Sequence, residues 1–303
     1  MKQIFVPYRD RRHPVWPDGA RLAVAMYASV ELWDSEGLVK YRHGPNLAPR
    51  PLPEMQKADL SITTTVEYGY RVGIYRLMEI WDEFGVRPSL LSSGLAIETY
   101  PDLFKEMVAK GHRTVGHGYE QSRFMVQMTV EEQKAALERS IEVPQRILGR
   151  RPNGWCSPGA RQTEETLALV ANAGFKFHLC LNNDELPYFL EFENGIRMVE
   201  IPYRVVESGE LNDYYMYGLE HVRTWPEAVE YLKSGFDARY EAAKEKPALV
   251  VFAVHPYVSG RADRALVVRH FLRHIAQFSD IWVTDFDGIA EWWAENGSGA
   301  INA

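Results

Sequence analysis

Three stretches of this sequence place reactive side chains where an apolar run stops. The first, Val30-Glu31-Leu32-Trp33-Asp34-Ser35-Glu36, sets three carboxylates directly behind the apolar run Leu22–Val30. Acids at the end of a buried strand are costly unless they are paired or used, and a salt-bridged, solvated strand end is the plain alternative. Strand alternation puts Glu31 and Trp33 on one side and leaves Asp34 to the loop. The second stretch runs from Gly111 to Ser122 and presents His117 between Gly116 and Gly118, with Gln121 four residues on. That spacing suits a pair of metal ligands, although an amide oxygen is a weak donor; a structurally satisfied histidine is the competing reading. The third, Val250-Val251-Phe252-Ala253-Val254-His255-Pro256, ends an apolar strand on an imidazole whose backbone the following proline restricts to extended geometry. A histidine so placed is suited to general acid or base work near neutral pH, or else to a buried hydrogen bond with a carbonyl.

Two further polar clusters could bind a small polar molecule or form ordinary turns. One is Asn182-Asn183-Asp184-Glu185-Leu186-Pro187-Tyr188, and the other Leu211-Asn212-Asp213-Tyr214-Tyr215. Gly154-Trp155-Cys156-Ser157-Pro158-Gly159 is another passage from strand to loop, where Cys156 has no signature of a nucleophile and is expected to pack inertly.

The elements that must position these residues read as a strand followed by a helix, repeated about seven times. Short apolar runs at Leu22–Val30, Pro88–Leu91, Thr114–Gly116, Gly154–Cys156, Phe177–Leu181, Met198–Ile201, Leu249–Val254 and Ile281–Thr284 suit strands of a parallel sheet buried on both faces. Helical periodicity spans Gly73–Phe84, Tyr100–Lys110, Thr129–Leu148, Glu164–Ala173, Trp225–Lys244, Ala262–Phe278 and Gly288–Glu295. Thr129 with Glu132 three residues on forms a capping-box pattern. No Gly-x-Gly-x-x-Gly follows the first strand and the polar residues gather after strand ends, so a closed or nearly closed β/α barrel is expected over an open doubly wound sheet. Residues His43–Thr65, proline-rich and without periodicity, read as a long inserted loop, and Asn296–Ala303 as a frayed tail.

Composition bounds the rest. With 303 residues, 34 Lys and Arg against 41 Asp and Glu, and 25% charged residues, the chain is that of a folded protein without the basic surface of a nucleic-acid binder. Two cysteines are too few for a disulfide framework. No run reaches the roughly 20 apolar residues that span a bilayer, and Met1–Arg12 lacks the apolar core of a signal peptide. The expectation is a cytoplasmic, globular, single-domain enzyme of a small-molecule substrate, with no nucleic-acid or membrane partner.

The order of the pieces is more specific than any one of them. An acid after the first strand, Gly111-His112 through Gly116-His117-Gly118, Arg151-Pro152-Asn153-Gly154-Trp155, Asp184-Glu185-Leu186-Pro187-Tyr188, Asn212-Asp213 and His255-Pro256 together resemble the polysaccharide deacetylase family of carbohydrate esterase 4 type. The likeness is nearest to its allantoinase-like and cyclic-imidase-like branch and includes Glu67-Tyr68-Gly69-x-Arg71-Val72-Gly73. It implies a distorted barrel of about seven β/α units over residues 1–303, with an insertion at 43–65, and hydrolysis of C–N bonds. By the same resemblance Glu31 falls on the general base, His117 on a metal ligand and His255 on the general acid. The family's second acid is replaced by Leu32 and its second histidine by Gln121, so no metal, or a weakly held divalent ion such as zinc on Asp34, His117 and Gln121, is expected. Trp33, Tyr119, Gln121, Trp155, Asp184, Tyr188, Asn212 and Asp213 are the expected substrate-binding side chains. A strained ring amide, ureide or imide is an easier target than an acetamide for a site without a metal. The alternatives are a metal-dependent N-deacetylase of a sugar and a barrel that only binds its ligand. A homo-oligomer is expected from the insertion and the many aromatic residues.

Overall fold

A computed structural model describes residues 2–3, 6–11, 15–202, 212–217 and 224–297. Its ten strands are β1 Lys2–Gln3, β2 Leu22–Val30, β3 Ser89–Ser92, β4 Thr114–Gly116, β5 Gly154–Trp155, β6 Phe177–His178, β7 Tyr188–Glu191, β8 Arg197–Glu200, β9 Ala248–Val254 and β10 Ile281–Thr284. They form one sheet in the order β1-β7-β8-β6-β5-β4-β3-β2-β10, with β9 also paired to β2. Every pairing is parallel except β1 with β7 and β7 with β8. β10 and β3 lie along the lower and upper parts of β2, pairing at Leu22–Ala25 and Tyr27–Val30.

The apolar runs were legible as strands because both faces of the sheet are covered. Along β2, Leu22, Val24, Met26, Ala28 and Val30 belong to one core cluster, and Ala23, Ala25 and Tyr27 to another. β9 divides the same way, Val250, Phe252 and Val254 against Leu249, Val251 and Ala253. The first cluster is closed by the helices Ile74–Phe84, Trp225–Ala242 and Ala262–Ile275. The second gathers residues from strands at opposite ends of the order, Val251 of β9 with Phe189 of β7 and Val199 of β8. Strands so far apart in a sheet share a core only if the sheet wraps around it, which gives the distorted barrel. Closure is incomplete among the described residues: β9 is an edge whose outer side carries only the parallel bridge Asn212–Ala253.

Several details depart from the sequence reading. β7 is an added antiparallel strand, inserted where a turn was read, so a hairpin interrupts the strand–helix alternation at Tyr188–Glu191. The segment 43–65 is not wholly irregular, since a helix Leu60–Tyr68 opens under the Asp59 cap, which accepts from Ser61 N. That helix continues into Ile74–Phe84 through a wide π turn at Gly69–Gly73. The helix Val130–Leu148 begins with the expected capping box at Thr129 and Glu132. Leu211 of the second polar stretch, and most of the tail Asn296–Ala303, lie outside the described residues.

Candidate active site

The alternation that sorts the two cores also aims the three candidate reacting groups. Ala23, Ala25 and Tyr27 face the inner cluster, and the same parity carries on to Ser29 and Glu31 beyond them. Val115 and then His117 follow the rule on β4, and Leu249, Val251, Ala253 and then His255 follow it on β9. Each group therefore leaves the C-terminal end of its strand pointing inward, and all three are buried.

Glu31 and His117 meet directly, Oε1 to Nε2 at 2.9 Å. The other ring nitrogen of His117, Nδ1, lies 2.7 Å from the Cys156 carbonyl oxygen. With an acceptor at each nitrogen, the ring is satisfied as an imidazolium donating both ways. Burial pushes the Glu31 carboxyl up, yet the His117 hydrogen bond and charge and the His255 charge outweigh it and hold it below its ordinary 4.5. Burial pulls the His117 ring down, and Cys156 and Glu31 more than reverse this, carrying it well above its ordinary 6.5. Both directions favour a carboxylate held by a cation. The Tyr70 hydroxyl donates to the Glu31 carbonyl at 2.9 Å, fixing the backbone at the same residue.

His255 has a different partner. Its Nδ1 lies 2.7 Å from Asp213 Oδ1, its backbone N–H donates to Asp213 Oδ2 at 2.6 Å, and Ser259 Oγ donates to that same oxygen at 2.7 Å. Asp213 is fully buried and accepts from Nδ1–H, which leaves Nε2 as the nitrogen able to carry or release the second proton. Tyr214 stacks on the imidazole with centroids 3.6 Å apart. The turn Pro256–Ser259 behind His255 sits against the π turn with no room between. A β-carbon at Gly73 would lie 2.1 Å from the Pro256 oxygen and one at Gly69 2.8 Å from Tyr257 N. One seven-residue motif, Glu67 to Gly73, thus braces both Glu31, through Tyr70, and the His255 turn, through its glycines.

The remaining expected site residues divide. Trp33 comes near, its ring edge-on to Tyr257 at 6.4 Å. Asp213 and Asn212 come to the His255 side, the first as its holder and the second accepting from Tyr214 N at 2.9 Å. Gln121 stitches rather than faces a ligand: its side-chain amide donates to the His117 carbonyl, and its backbone N–H to Leu32 O at 3.0 Å. Trp155 has the opposite strand parity and packs with Phe175, Leu167 and Val170 on the helix side, which removes it from the inner face. Tyr188 joins that cluster and donates to Asn183 Oδ1. Asp184 is taken by Arg11 at 2.6 Å, and Tyr119 donates to Glu98 with the Arg139 guanidinium over its ring. The sequence does not single out Tyr70 or Tyr257, gives Tyr214 only as a member of the polar cluster 211–215, and assigns Cys156 inert packing with no role for its carbonyl. Tyr257 has a signal, since it follows His255-Pro256 directly; Tyr70 and Cys156 come from remote segments.

The donor set does not fit a divalent metal. Leu32 offers hydrocarbon where a second acid is needed. Asp34 caps the helix Ser35–Tyr41, its Oδ2 accepting from Gly37 N at 2.9 Å. Gln121 is used as above, and both His117 nitrogens face acceptors. Among the described residues no group of three or more His, Cys, Asp or Glu side chains is arranged to hold an ion, where zinc sites use three or four strong donors.

Residues 55–178 match the polysaccharide deacetylase family model. A peptidoglycan deacetylase of Helicobacter pylori is 30% identical over 120 residues, 39% of this chain, and the match spans 41% of that protein's length. The crystal structure of PuuE allantoinase shares the fold with a TM-score of 0.87 at 24% identity, over 97% of each chain. That of a probable polysaccharide deacetylase from Pseudomonas aeruginosa does so at 0.86 and 23%, over 97% of this chain and 98% of its own. No described helix is long and apolar enough to cross a membrane.

Proposed function

We propose that this chain, which carries a polysaccharide deacetylase domain in a family-type distorted barrel, is an amidohydrolase that opens a small cyclic amide, ureide or imide. The reading is supported by the Glu31–His117 pair, 2.9 Å apart on the inner face, with His255 following the same inward parity on β9 and its charge felt at Glu31.

Glu31 is the general base. Its carboxylate takes a proton from water as the oxygen attacks the ring carbonyl. His117 cannot take that proton, because both its nitrogens already donate; its cation keeps Glu31 ionised and oriented. His255, fixed on Asp213 through Nδ1, gives a proton from Nε2 to the ring nitrogen as the C–N bond breaks. The product is a ring-opened chain with a carboxylate at one end and the freed nitrogen function at the other. When a metal is bound in relatives of this type it lowers the pKa of water and polarises the carbonyl; here the base, its cation and the acid carry those demands. A strained or activated ring amide lowers them, which favours rings over acetamides.

The test is a panel of ureides, hydantoins, imides and N-acetyl sugars given to protein of known metal content. One ring class should turn over, at a rate that exhaustive chelation leaves unchanged, and Glu31→Gln should lose at least about 10³-fold in kcat with an unaltered melting profile. Full activity of that variant defeats the assignment of the base. Stoichiometric zinc that leaves together with activity points to the N-deacetylase instead. Tight binding of one compound without turnover by any points to a binding barrel.

A further inference from the structure

Residues 43–47 run between two anchors, one on the loop after His117 and one on the turn after His255. At one end the His43 ring lies against Phe124, centroids 4.4 Å apart, and Gln127 Nε2 approaches His43 Nε2 at 3.3 Å. Phe124 and Gln127 belong to the loop that follows β4 and His117. At the other end the Asn46 carbonyl accepts the Tyr257 hydroxyl at 2.9 Å, two residues beyond His255. Pro45 is buried between the anchors, and Leu47, held at φ +61°, packs against the outer core. The segment leaves the helix Ser35–Tyr41 through Arg42, also left-handed at φ 56°. Two non-glycine residues in that region bracket the strap, so its path is set by local backbone as well as by its contacts.

Tyr257 links this strap to the reacting groups. Having donated to Asn46, its oxygen accepts from Tyr214 at 2.6 Å, and the Tyr214 ring is the one stacked on His255. Burial and then the nearby Glu31 charge push the Tyr257 hydroxyl well up, so it stays a donor. A polymer needs a groove that continues past the reacting carbonyl in both directions. The strap is tied from the loop that follows His117 to the turn that follows His255.

We propose that residues 43–47, pinned by Tyr257, determine specificity by limiting the site to a compact ring amide, and that Tyr257 is the positioning residue that couples the strap to His255. The inference rests on the C–N hydrolase reading for its substrate and on the contacts above for its geometry. Tyr257→Phe keeps the ring and loses the donor. Amide hydrogen exchange over residues 43–59 should then quicken about five-fold, the loss of one ordinary hydrogen bond. The kcat/KM ratio of an unsubstituted six-membered cyclic imide over its ring-phenyl derivative should fall by at least about five-fold, a shift that general destabilisation does not produce. His43→Ala, which loosens the opposite anchor, should move both readouts the same way and serves if the first variant folds poorly. Unchanged exchange in both variants overturns the strap, and an unchanged size ratio overturns its role in specificity. If wild-type protein hydrolyses no ring amide, the functional reading fails by itself, and exchange still decides whether Tyr257 holds the segment.

Discussion

Glu31–His117 and Glu200–His178 are the same chemical pair on opposite faces of one sheet. The first lies on the inner face with its oxygen and nitrogen 2.9 Å apart. The second continues the other parity: Phe177 and Val199 face inward, so His178 and Glu200 turn to the helix side, 2.5 Å apart and fully buried. There every functional atom is engaged inside the fold. His178 Nε2 donates to Gln162 Oε1 at 2.8 Å, Ser157 Oγ donates to the same oxygen at 3.0 Å, and Glu200 Oε1 accepts from Leu181 N at 2.7 Å. This network ties β6 and β8 to the start of the helix Glu164–Asn172. The inner pair instead has a third partner across the site, His255, whose charge reaches Glu31. A buried imidazole beside a carboxylate is therefore not a site in itself. On the proposed reading, strand parity and the charge of a second imidazole make the difference.

That contrast can be broken in graded ways. His255→Asn keeps a donor to Asp213 and removes the proton donor at Nε2, so kcat on the ring substrate should drop by about 10²–10⁴-fold with KM within a few-fold. A loss below ten-fold in steady-state kinetics would strip His255 of its role.

His117→Asn tests the cation. In wild type Glu31 titrates below its ordinary value, so the acid limb of kcat/KM lies below pH 4.5 and the stabilisation from the ionised carboxylate is lost only as pH falls through that limb. With the cation gone, burial acts with little to oppose it and pushes the carboxyl up, so the limb should move to higher pH. A pH–rate profile with an unmoved limb would show that His117 does not set the charge of Glu31. The smallest change in rate belongs to the outer pair. Glu200→Gln should leave kcat within about three-fold while lowering the unfolding free energy in urea by about 3 kcal/mol, since it breaks a fully buried pair. A large fall in kcat with unaltered stability would erase the distinction between the two faces.

Much of this was legible without coordinates because it rests on period and punctuation. Leu22–Val30 and Thr114–Gly116 are strands at those boundaries because each is a wholly buried, mostly apolar run, and Ile281–Thr284 matches as well although it is only partly buried. Glu31, His117 and His255 stand out for the same reason. Each is the polar residue at which a buried run stops; that Glu31 shares a face with the core beneath it comes from the sheet. Trp155 and Tyr188 show the limit of that reading. Both pack under the helices: Trp155 ends a two-residue strand, too brief for its parity to be read, and Tyr188 opens the added strand β7, which the polar cluster before it masks.

The sequence by itself determined the strand–helix alternation, the missing second acid at Leu32 and the carboxylate and two imidazoles that end buried runs, because local hydrophobic pattern and side-chain chemistry are properties of the chain. Only the tertiary structure decided who holds whom. Asp213 is 42 residues from His255 and Glu31 is 86 from His117. Such pairings are fixed by which strands lie side by side in a wrapped sheet, and hydrogen bonds act over ångströms in space rather than over positions in the chain.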